Sequence, residues 1–149
     1  MRRKISYIMI GIFILVSACQ KFAMVERDTQ ISKHGEDESH YKGFNCMDCH
    51  YTEGNDAEGI FLIGGSAYGN TDKGFIEFYE DKNAAPIKVV EIDQLGNYYT
   101  TEEDIDFKKG LYVAVVNKNN NREFMDDKVL NGQCNLCHGT GVEDRIDMD

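Results

Sequence analysis

Two segments of this chain repeat one pattern. Cys46-Met47-Asp48-Cys49-His50 and Cys134-Asn135-Leu136-Cys137-His138 both read C-x-x-C-H. Together they use four of the five cysteines and two of the four histidines. Two thiols at a fixed short spacing, each pair followed at once by an imidazole, form a donor set that restricts how the neighbouring chain can fold. The residues between the motifs must make a unit whose two ends each carry such a set.

C-x-x-C-H is the spacing of covalent haem attachment. The two thiols must reach the two vinyl groups on one edge of the porphyrin. The histidine after the second cysteine then swings under the ring and binds iron from the proximal side. The expected cofactors are two haem c groups, held covalently by Cys46, Cys49, Cys134 and Cys137, with His50 and His138 as axial iron ligands. Two other readings use the same residues. The four thiols can form one tetrahedral zinc site, with the histidines incidental. They can also form disulfides, which an exported chain permits. Three residues are candidates for the distal positions. His34 and His40 lie in a polar stretch, His40 nearer to a motif. Met125, in Arg122-Glu123-Phe124-Met125-Asp126-Asp127, would supply a thioether and raise the potential. Met47 sits inside its own motif, and Met24 and Met148 lie too near the termini to be expected at a site.

The amino terminus reads as an address. Arg2-Arg3-Lys4 precedes an apolar run over residues 5–16, shorter than the roughly 20 residues a spanning helix needs. It fits the h-region of a secretory signal, making residues 1–18 a signal peptide. Leu15-Val16-Ser17-Ala18-Cys19 resembles a bacterial lipobox, which implies lipidation at Cys19. Several acyl chains there would anchor the protein stably. Gln20 rather than aspartate after that cysteine implies, by the same resemblance, the outer membrane of a Gram-negative cell. Residues 19–43 are polar, mixed in charge and without apolar periodicity, so a flexible lipidated tether is expected.

Residues 44–57 form the first haem segment and residues 128–149 the second with a tail. Between them, residues 58–127 read as β. Short strands are predicted at 60–63, 74–80, 87–92, 97–101, 110–116 and 122–125, with Gly64-Gly65 a bulge or bend. The expected fold is mainly β: a small antiparallel β-sandwich flanked by two short haem-binding segments. Three pieces carry a likeness: Leu95-Gly96-Asn97-Tyr98-Tyr99-Thr100, Gly110-Leu111-Tyr112-Val113-Ala114-Val115, and Met125 followed by Gly132-Gln133-Cys134-Asn135-Leu136-Cys137-His138-Gly139. Together the stretch resembles the carboxypeptidase-regulatory-like, or transthyretin-like, sandwich of some exported multihaem cytochromes. The resemblance implies an electron carrier whose partners are redox proteins, other multihaem cytochromes among them.

The formal net charge is −10, and residues 1–18 hold Arg2, Arg3 and Lys4 and no acid, so removing them leaves a still more acidic chain. Such a surface repels nucleic acid and steers basic partners. No catalytic triad, phosphate loop or nucleotide fingerprint is present. The expected role is electron transfer by a non-enzymatic, lipid-anchored protein in the periplasm or at the outer membrane. The alternatives are a β-sandwich binding lipoprotein stapled by zinc and a small haem peroxidase or sensor. Cys19→Ala should move the full-length protein from the membrane to the soluble fraction of a fractionated bacterial host; retention in the membrane would rule out anchoring through Cys19.

Overall fold

The computed structural model describes residues 29–51, 59–139 and 145–149. The expected signal peptide, Cys19 and the first part of the expected tether lie outside the described residues. Among the described residues, no helix is long and apolar enough to cross a membrane.

Among the described residues, seven strands form two sheets. They are β1 (Ile63–Ser66), β2 (Phe75–Tyr79), β3 (Lys88–Glu91), β4 (Asn97–Thr100), β5 (Tyr112–Val116), β6 (Arg122–Phe124) and β7 (Gly132–Gln133). The larger sheet runs β3-β2-β5-β6, antiparallel throughout. The smaller runs β4-β1-β7, with β1 antiparallel to β4 and parallel to β7. The described residues contain one short α-helix, α1 (Cys134–His138). The protein is a mainly β, small sandwich; among the described residues it departs from an antiparallel design at the β1–β7 pair and at the Tyr68–Asp147 bridge.

Alternation explains the larger sheet. Ile76 and Phe78 of β2 point into the core with Val90 of β3 and Val113 of β5, facing Ile63 and Tyr98 of the smaller sheet. Successive strand residues face opposite sides, so Glu77 and Tyr79 point outward. Glu77 is nonetheless buried, because Arg122 donates to it from Nε at 2.8 Å and Nη2 at 3.2 Å and Tyr79 donates its hydroxyl. Arg122 and Tyr79 hold the Glu77 carboxyl below its usual range against the opposing effect of burial.

The boundaries differ from expectation in three places. Residues 29–43 are not a free tether. Ile31 bridges Thr100, and Thr101 N donates to Gln30 O at 2.9 Å. Ser32, 1% exposed, donates from Oγ to Glu91 O at 2.6 Å and accepts from Tyr99 N at 3.0 Å. Polar groups of this segment satisfy the open edge of β4, a role that apolar periodicity does not report. The carboxyl-terminal tail is likewise part of the sandwich. Tyr68 N donates to Ile146 O at 2.8 Å, Met148 N donates to Tyr68 O at 3.0 Å, and the Met148 side chain enters the core at 4% exposure.

The third difference is Gly64-Gly65, which is the middle of β1 rather than a bend. A Cβ at Gly64 would lie 2.9 Å from Cys46 Cβ, and one at Gly65 would lie 2.8 Å from Cys134 Cβ and against the Tyr98 hydroxyl. These two positions are glycine because another segment crosses each face of the strand. Gly64→Ala and Gly65→Ala should each destabilise the fold by about 1–3 kcal/mol. Urea unfolding checks this through a lower midpoint at unchanged slope.

Candidate functional site

In the first motif, residues 46–48 form a 3₁₀ turn with Asn45 as its cap. Asn45 Oδ1 accepts from Met47 N at 3.4 Å, and its Nδ2 donates to Asp48 Oδ1 at 2.7 Å. His50 N donates to Cys46 O at 3.0 Å, which brings the imidazole back towards the thiols. The ring is 8% exposed and stacks on Phe61 at 3.9 Å, and Phe61 stacks on Tyr99 at 4.7 Å. His50 Nδ1 lies 3.1 Å from Gly59 O. A proton on Nδ1 donated to that carbonyl leaves Nε2 with a lone pair for a metal.

The second motif is α1. Gly139 N closes it by donating to Asn135 O at 3.0 Å. Asn135, the first variable residue of the motif, is 4% exposed. Its Oδ1 accepts from Ser66 N at 2.9 Å, and its Nδ2 donates to Phe44 O at 2.7 Å. One side chain thus ties the second motif to β1 and to the residue pair preceding the first motif. Gly43 N adds a bond to Ser66 Oγ at 2.9 Å, and Asn45 Nδ2 reaches Gln133 Oε1 at 3.4 Å. Two segments far apart in the chain therefore meet on one strand.

No disulfide joins the four motif cysteines. Burial pushes the Cys46 and Cys134 thiols up to about 11 from an ordinary 9.0. Cys49 and Cys137 are exposed. Tyr98, 1% exposed, has its hydroxyl beside the Cys134 thiol with no nitrogen or oxygen partner, and burial raises that phenol well above its ordinary value.

A cavity of about 650 Å³ opens at the first motif, lined among others by Cys46, Cys49, His50, His40, Phe61 and Tyr98. That volume lies within the roughly 300–1,000 Å³ range of small-molecule and cofactor sites. Tyr41, Phe44 and Tyr51 beside the first motif, and Leu130 and Leu136 at the second, are all more than half exposed. Apolar surface gathered this way marks a place for something apolar to sit. The thiols, the imidazole with its Nδ1 engaged, the apolar surround and the glycine cradle under Cys46 and Cys134 fit a covalently attached haem. Among the described residues, no group of three or more His, Cys, Asp or Glu is arranged to hold a metal ion.

The distal candidates go to different places. His40 lines the cavity, its ring centre 6.0 Å from that of His50. His34 is held elsewhere, Nδ1 at 2.9 Å from Ile92 O and its ring edge-on to Phe75 at 4.8 Å. Met125 is bound through N to Val113 O at 2.9 Å, and its side chain packs on the rim of the core. Sequence reasoning missed Asn135, Ser66, Asn45 and Tyr98. A polar residue at a variable motif position carries no signal of its own; only contact with Phe44 and Ser66 gives Asn135 a role.

No protein-family model matches this chain, and no curated protein or solved structure is detectably similar to it.

The thiols differ in a way that alkylation reads directly. In the free-thiol protein at pH 8, exposed Cys49 and Cys137 should react with iodoacetamide well before Cys46 and Cys134. With an ionisation near 11, about one in a thousand of the latter are thiolate at that pH. Because both ionise near 9.0 when unfolded and near 11 in the fold, their contribution to stability is complete below pH 9 and is lost as pH rises towards 11. Equal labelling of all four at pH 8 would contradict this.

Proposed function

We propose that this protein is an exported, lipid-anchored c-type cytochrome that carries two haems and transfers electrons at the outer membrane or in the periplasm. One observation carries the reading. The two C-x-x-C-H segments, at opposite ends of the sandwich in sequence, pack on neighbouring glycines of β1 and are joined through Asn135. A fold that brings two haem-attachment motifs together supports exchange of electrons between the groups they hold.

Bound haem would supply reversible one-electron chemistry at iron. The chain's residues do the rest. Cys46, Cys49, Cys134 and Cys137 would hold the two groups, and His50 and His138 would bind their irons. Gly59 O and the face of Phe61 orient the His50 imidazole; a hydrogen bond from Nδ1–H to Gly59 O would make Nε2 a stronger donor. The exposed side chains of Tyr41, Phe44, Tyr51, Leu130 and Leu136 would help to exclude water from the bound groups. The acidic surface favours basic redox partners and disfavours nucleic acid. The lipid on Cys19 would keep the carrier near a membrane.

The reading is tested by intact mass and a reduced pyridine haem spectrum on full-length protein purified from a host with cytochrome c maturation machinery. The expected result is a mass increase of two haems with a c-type spectrum, reduced to one haem in Cys134→Ala/Cys137→Ala. An unmodified mass with bound zinc would replace the cytochrome by a zinc-stapled binding lipoprotein.

A further inference from the structure

Of the four histidines in the chain, His40 and His50 line the cavity. Their ring centres are 6.0 Å apart and their planes are inclined by 36°. That separation is too long for a stack. It is the spacing of two imidazoles that share a metal from opposite sides: bonds of about 2.0–2.1 Å to each nitrogen put the ring centres roughly 6 Å apart. The inclination is no obstacle, because two imidazoles on one metal need not be coplanar or parallel.

His40 is held in this place by the chain on both sides of it. Ser39 Oγ accepts from Asn97 Nδ2 at 2.8 Å. Tyr41 stands edge-on to the His40 ring at 5.0 Å, and Lys42 Nζ lies over the Tyr68 ring at 4.7 Å. Phe44 N closes a turn onto Tyr41 O at 3.0 Å, and this turn sends the chain back under His40 into the first motif. Tyr41 itself sits at φ +50°, a left-handed conformation that a bulky side chain rarely adopts. Strained backbone of this kind, next to a residue that faces a site, belongs with positions whose geometry the function requires. The other two candidates are tied down away from the cavity, His34 at Ile92 and Met125 at Val113.

We propose that His40 is the second axial ligand of the iron bound by His50, closing the first haem with two imidazoles. The assignment rests on the dihaem reading above. It makes the two haems unequal, since His40 governs one iron and the remaining histidine, His34, is engaged on the larger sheet. His40 is also exposed, so this ligand belongs to the solvent side of the haem, whereas His50 belongs to the buried side.

The test uses full-length protein with its haems attached, read by intact mass, visible absorption and electron paramagnetic resonance. In His40→Ala, mass should still report two haems while one of them passes from low to high spin, and added imidazole should return it to low spin. His34→Ala should leave the spectra unchanged. His40→Met, which keeps a ligand, should remain low spin with a raised potential for one haem; this variant serves if His40→Ala fails to load. Two haems by mass with spectra unchanged in both His40 variants would overturn the assignment and leave the dihaem reading standing. Wild-type protein without haem mass would overturn that reading itself.

Discussion

The structure depends on the contact between β1 and the two cysteine segments. Gly64 and Gly65 present bare backbone on opposite faces of the strand, and Cys46 and Cys134 each press a Cβ into the space left by a missing side chain. A side chain at Gly64 or Gly65 would meet Cys46, or Cys134 and Tyr98, closer than normal contact allows. The strand is also the centre of the smaller sheet, paired with β4 and β7. The same four residues therefore hold the sheet together and set where the candidate site lies. Ser66, the last of them, is fully buried and bonds to Asn97, Gly43 and Asn135, linking β4, the first segment and α1 through one hydroxyl and one amide.

Burial of the leading cysteine in each motif has a chemical consequence. Withdrawal from water disfavours the thiolate, so Cys46 and Cys134 hold little thiolate near neutral pH. The second cysteine of each motif remains at the surface. Each pair is thus divided into an anchored thiol against β1 and an accessible one facing outward. That division suits a group attached along one edge and lying over the apolar side chains around it, and it suits a tetrahedral centre poorly. Tyr98 completes the inner side: its ring packs in the core while its hydroxyl stands beside Cys134 without an oxygen or nitrogen partner.

The edges of the sandwich are managed by segments with little hydrophobic signal. Residues 29–32 cover β4 through backbone and hydroxyl bonds, and residues 146–148 pair with Tyr68. The outer face of the larger sheet is closed by Arg122, Glu77 and Tyr79, with Lys82 lying over the Tyr112 and Phe124 rings. Among the described residues the most exposed large apolar side chains, Tyr41, Phe44, Tyr51, Leu130 and Leu136, lie at or near the two motifs, while Ile87, Val89 and Leu95 are less exposed elsewhere.

From sequence alone, the chemistry of the candidate site could be read, because it depends on residue type and local spacing: thiol, two residues, thiol, imidazole. The strands of the larger sheet could be read for a similar reason, since alternation and β-branching are local consequences of a half-buried pleated surface. Gly64-Gly65 could not. A glycine pair signals a bend when its neighbours are unknown, and it became the middle of a strand only because two distant cysteines occupy its faces. The packing of residues 29–43, the core position of Met148 and the bridging role of Asn135 were hidden likewise, each depending on a partner far away in the chain. The separation of His40 from His34 and Met125 is of the same kind. All three are plausible ligands by type, and only tertiary structure decides which one stands opposite His50, because a distance across a cavity is set by the packing of the whole fold and is written in no local pattern.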